Sequence, residues 1–87
     1  MPSMMDAPTI EAGLLTFLHR EIFAPEVVVT AETDLVAAGF DSMSLVRVLL
    51  FVETTHGLWI PQNEITSESL HNVRSLAATV ARLLHER

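Results

Sequence analysis

Apolar residues recur at helical spacing in three stretches of the chain and cluster once in a short β-branched run. From Thr9 onward, Ile10, Leu14, Phe17, Leu18 and Ile22 return every three or four positions, which puts them on one face of an α-helix. Thr9 is a suitable N-cap for this first helix. Its end is expected near Phe23-Ala24-Pro25, because proline disfavours a helical conformation in the residue before it. A second helix is predicted from Ser42 to about His56: Asp41 offers a capping carboxylate, neither Gly nor Pro interrupts the segment, and Gly57 ends it. The last helix starts after Asn72, a good cap, and runs through Val73, Leu76, Ala77, Val80, Leu83 and Leu84. A short helical turn is expected at Ser67 to Leu70.

The β-branched cluster Val27-Val28-Val29-Thr30 taken alone could be a strand, but no second strand-like segment exists for it to pair with. It reads as part of a long loop from Glu26 to Thr33. Asp34 to Gly39 then forms an irregular turn, with Leu35 in the core and Gly39 free to take a positive φ. Gly57 to Ile65 is a further loop, carrying Trp59 and Pro61. The predicted fold class is all-α, a four-helix antiparallel bundle of three longer helices plus one short one. Residues 1–8 are expected to be a flexible N-terminus and residues 9–87 the single domain.

Helix two has two apolar faces. On a wheel advancing 100° per residue, Leu45, Val48, Leu49 and Val52 fall within about 100° of one another and suffice as the core stripe. Opposite them lie Met43, Val46 and Leu50, with Arg47, Glu53 and Thr54 around them. A surface helix of a small bundle has no structural use for a second apolar stripe, so that face is either buried by something else or a docking patch. Ser42 stands at its N-terminal edge.

Composition narrows the function classes. With 87 residues, 49% of them hydrophobic, the chain can build one core but no large enclosed cleft, which argues against a self-sufficient enzyme. No acid–base or nucleophile–base constellation stands out. Eleven acidic residues against five basic ones, all Arg, give a net charge of −6, which repels nucleic acid and favours a positively charged partner. There is no Cys, hence no disulfide framework or thiolate zinc site. His19, His56, His71 and His85 do not form a ligand set and read as solvated or partly buried side chains. The start of the chain lacks the basic and apolar pattern of a signal peptide, and no apolar run of about 18 residues follows, so a cytoplasmic protein without membrane association is expected.

The run Gly39-Phe40-Asp41-Ser42-Met43 resembles the signature of the acyl and peptidyl carrier protein superfamily, Gly-x-Asp-Ser followed by Leu or Met. The resemblance continues through Leu45 to Val52, the ending Glu53-Thr54-Thr55-His56-Gly57, the pair Ile60-Pro61 and the final helix from near Val73, covering roughly residues 10–84. It implies a non-catalytic, monomeric carrier. A phosphopantetheinyl transferase would move 4'-phosphopantetheine from coenzyme A onto the Ser42 hydroxyl, with a magnesium ion, and Asp41 would help to engage the transferase and its metal while capping the helix. A phosphodiester at a helix start meets free backbone amides and the positive end of the dipole. An adenylating aminoacyl or acyl ligase would load the arm, and downstream acyl-transferring enzymes would unload it.

Carriers of bacterial fatty-acid synthesis typically show several carboxylates along helix two, whereas this helix has only Glu53 beyond its cap and Arg47 in place of one expected acid. That pattern, with the stretch Ile65 to Leu70, is closer to stand-alone aminoacyl or peptidyl carriers. An acyl carrier of polyketide or specialised fatty-acid synthesis is the alternative, and a helical interaction domain without a prosthetic group is a third reading. The expected partner-binding residues are Met43, Val46, Arg47, Leu50 and Trp59; Trp59 reads first as a packed loop aromatic and second as a partner contact. His56 takes a position where relatives commonly carry a core Phe, so it is expected to be half-buried.

Overall fold

The computed structural model describes residues 6–86, which form three α-helices joined by turns and loops, with no strand among them. The first, α1, spans Ala7–Phe17. Its cap is Asp6 and not Thr9: the Asp6 carboxylate accepts the Thr9 amide at 2.9 Å. Pro8 fits the first turn because an amide there has no intrahelical acceptor to lose. Of the segment expected to be a flexible start, Asp6, Ala7 and Pro8 thus supply the cap and opening of α1, and residues 1–5 lie outside the described residues.

α1 runs into a π-helical turn, Leu18–Ile22, in which the Phe23 amide donates to the Leu18 carbonyl five residues back at 2.9 Å. Phe23 is extended, so the helical stretch is over before Pro25, as predicted. The valine cluster lies in a loop. Val29 is buried, whereas Val28 is 80% exposed. Two backbone bonds sew this loop to the start of the last helix: the Arg74 amide donates to the Ala31 carbonyl and the Leu35 amide to the His71 carbonyl, each at 3.0 Å. Leu35 is fully buried.

The second helix, α2, spans Ser42–His56 and closes on Gly57 in the left-handed region, φ 67°. The third, α3, spans Val73–Glu86. Its start is fixed reciprocally, the Ser75 amide donating to the Asn72 side chain at 2.8 Å and the Asn72 amide to the Ser75 hydroxyl at 3.2 Å. α1 packs chiefly against α3. α2 closes the bundle, and Ile10, Leu14, Val48, Val52, Val73, Val80, Leu35 and Ile60 meet in one core. The radius of gyration, 12.0 Å, matches the roughly 12 Å of a compact chain of this length.

The fourth, short helix expected at Ser67 to Leu70 is a hydrogen-bonded turn instead; the connection contains only one 3₁₀ turn, Gln62–Glu64. Side chains take over the local hydrogen bonding. The Thr66 amide donates to the Ser69 hydroxyl, the Ser69 amide donates to the Thr66 hydroxyl, and the buried Ser69 hydroxyl donates to the Glu64 carbonyl at 2.7 Å. Such side-chain bonds offer the backbone an alternative to helix. No helix of the described residues is long and apolar enough to cross a membrane.

Candidate functional site

The entry to α2 is anchored from inside. Leu35 sits in the core, the Phe40 amide donates to the Leu35 carbonyl at 2.9 Å, and Phe40 is itself buried. Between them Gly39 turns the chain at φ 110°, a conformation that favours glycine. The next two residues, Asp41 and Ser42, are consequently delivered to the surface, and both are exposed. The Asp41 carboxylate accepts the Ser44 amide and the Ser44 hydroxyl, each at 2.9 Å. The bond from the Ser44 amide, and then that from the hydroxyl, hold its pKa below the ordinary aspartate value of 3.8, so it is ionised at neutral pH.

Ser42 opens the helix, and its hydroxyl has no hydrogen-bond partner among the described residues. The Ser44 and Leu45 amides are taken by Asp41, and the Met43 amide also acts on the Asp41 carboxylate, so the first turn of α2 is gathered around that group. An exposed hydroxyl at the start of a helix suits a covalently attached phosphodiester: nothing must move to expose the oxygen, and the helix end favours an anion. These residues fit such a group.

Beside Ser42 lies the second apolar face predicted for α2. Met43 is 72% exposed, and Val46 and Leu50 are each half exposed. On the other side Val48, Leu49 and Val52 are buried and Leu45 is partly buried, so both faces of the wheel are where the sequence places them. Trp59 departs from its first reading as a packed aromatic, being 52% exposed, while its neighbours Leu58 and Ile60 are the buried side chains of that loop. Alternation along an extended loop turns the indole outward. His56 is intermediate in burial, as expected.

Arg47 is engaged within the chain. Its guanidinium donates to the Glu21 carbonyl at 2.6 Å and to the Glu21 carboxylate at 3.2 Å, tying α2 to the π-helical turn. No local pattern in the sequence points to this bond, whose partners are 26 residues apart. Nearby, Phe17 of α1 stacks on Phe51 of α2 with ring centroids 4.5 Å apart and planes 21° from parallel. The rings floor a groove of about 480 Å³ lined by Gly13, Thr16, Arg20 and Glu21, and continue into a hollow of about 320 Å³ that reaches Arg47, Leu50 and Thr54. Phe17 and Phe51 are only partly buried, and neither was expected to form a surface feature. Compared with known proteins, the chain matches no family model and no curated protein.

Proposed function

We propose that this chain is a carrier domain that holds an acyl or aminoacyl intermediate as a thioester on a 4'-phosphopantetheine arm attached to Ser42. The observation that carries the reading is the Ser42 hydroxyl: exposed, without a hydrogen-bond partner among the described residues, and held at the first position of α2 by a buried Phe40 and a left-handed Gly39. The arm, when attached, supplies a terminal thiol for thioester formation. The chain's own part is to present the hydroxyl, to set the N-terminal end of α2 beside the phosphodiester, and to keep an ionised Asp41 next to the attachment point for the modifying transferase. No base of its own is required, because the transferase activates the serine.

The exposed side chains of Met43, Val46 and Leu50 make an apolar docking face for the enzymes that load and unload the arm, and the exposed Trp59 is available beside α2. With Arg47 occupied by Glu21, that face offers a partner little free charge. This supports an aminoacyl cargo delivered by an adenylating ligase over docking on strongly basic partners. An acyl carrier of polyketide or specialised fatty-acid synthesis would use the same serine.

The deciding experiment is to incubate the purified chain with coenzyme A and a broad-specificity phosphopantetheinyl transferase and to measure its mass. The expected result is one phosphopantetheine adduct on the wild type and none on Ser42→Ala, with unchanged circular dichroism. An unmodified wild-type chain would leave a helical interaction domain without prosthetic group as the better reading.

A further inference from the structure

The groove between α1 and α2 has a composition that folding alone does not explain. Gly13 lies in the interior of α1 with no positive φ to require glycine, and a Cβ built there would meet nothing within 4 Å. Glycine weakens a helix interior relative to alanine, and neither backbone conformation nor close packing calls for it at this position. What its missing side chain does is leave the groove open above the Phe17–Phe51 stack.

The polar groups of the groove are committed, with one exception. The Thr16 hydroxyl donates to the Ala12 carbonyl, and the Glu21 carboxylate is bound by Arg47. Arg47, Arg74 and Arg82 each have carboxylate partners, whereas Arg20, at the rim of the groove, is the one arginine among the described residues that has none. In a chain of net charge −6, an arginine without a carboxylate partner among the described residues, lining a groove with two aromatic rings, is a specific feature.

We propose that this groove binds a small apolar monocarboxylate, its hydrocarbon or aryl body lying on the faces of Phe17 and Phe51 in the space Gly13 leaves, and its carboxylate paired with the Arg20 guanidinium. Arg offers a planar, bidentate fork to a carboxylate, and the aromatic pair offers contact to an apolar body. The site is separate from Ser42 and is filled by a free molecule.

The test is a titration of the full-length chain with 3-phenylpropanoate, followed by amide shifts in a ¹H–¹⁵N spectrum. The expected result is saturable shifts at Gly13, Phe17, Arg20 and Phe51. Binding is expected to weaken roughly two- to fivefold for the uncharged 3-phenylpropanamide and for the acid on Arg20→Gln, the range an exposed ion pair supports. Gly13→Leu fills the groove and is expected to abolish binding without lowering Tm. Absence of saturable shifts, equal affinity for acid and amide, or undiminished binding to a folded Gly13→Leu chain each overturns the proposal. If Gly13→Leu does not fold, Arg20→Gln decides, and unchanged affinity there overturns it as well. Ser42 takes no part in the titration, so the outcome is independent of whether that serine is modified.

Discussion

α2 and α3 are nearly equal in length, 15 and 14 residues, but they use their apolar side chains differently. α3 buries Val73, Leu76, Ala77, Val80, Ala81 and Leu84 and shows solvent mainly Arg74, Ala78, Arg82, His85 and Glu86. α2 buries Val48, Leu49 and Val52 and leaves Met43, Val46 and Leu50 outside. The folding of a small bundle accounts for every large apolar side chain of α3, Ala78 being the one small apolar residue left exposed. It accounts for about half of those of α2, and the remainder lie in a row beside Ser42. An apolar row that the fold does not need is the place to look for a partner.

The strongest way to break this comparison is to put a carboxylate into each buried face. Val80→Asp in α3 and Leu49→Asp in α2 are both expected to unfold the domain in urea or thermal melts. An unpaired buried charge costs several kcal/mol, a large part of the roughly 5–15 kcal/mol that holds a domain together. A folded Leu49→Asp chain would invert the assignment of faces on α2. Next in size is Gly13→Ala in α1, expected to raise stability by about 0.5–1 kcal/mol in denaturant titrations, because the added methyl has open space and alanine prefers the helix. Destabilisation there would mean that Gly13 serves packing after all.

Smaller in stability, but decisive for function, is the contrast between Val46→Asp and Ala78→Asp, exposed positions on α2 and α3. Each is expected to move stability by less than about 0.5 kcal/mol. If the proposed docking face is used, only Val46→Asp is expected to slow loading by an adenylating ligase, since it sets a charge in the centre of that apolar row. The smallest effect concerns the caps. α2 is capped by a carboxylate, Asp41, and α3 by an amide, Asn72. Because the folded state holds the Asp41 pKa below 3.8, its contribution is complete above that value and is lost as the pH falls through the depressed one. Acid is therefore expected to lower the exchange protection factor of the Ser44 amide but not that of Ser75, and Asp41→Asn should abolish the difference, since Asn caps about as well as Asp.

Much of this was legible in the chain. Asp41 and Gly57 mark both ends of α2, and Asn72 with the regular period beyond it marks α3, because these signals act within one helical turn. The valine run is a loop for the reason the sequence suggests, the lack of a partner strand. Two local competitions went the other way. Asp6 outranks Thr9 as the cap of α1, and the hydroxyls of Thr66 and Ser69 convert a helix-like segment into a turn. The Arg47–Glu21 bond, the Phe17–Phe51 stack and the groove above it depend on how α1 lies against α2, and no local pattern encodes that. At Ser42 the sequence marks a helix start after Asp41, and the fold adds that the hydroxyl is exposed and without a hydrogen-bond partner among the described residues.

The two bonds that join Ala31 to Arg74 and Leu35 to His71 bear on the order in which the protein is made. Ribosomes deliver the chain from its N-terminus, so Ser42 emerges well before the segment that fixes the approach to it. Until residue 74 is free, the turn carrying Leu35 and Phe40 has neither its backbone bonds to the last helix nor the core wall that helix provides. A nascent chain therefore displays the serine without its setting. Any enzyme that reads the shape around Ser42, and not the bare Asp-Ser dipeptide, must therefore wait until the last helix has emerged and packed against that turn.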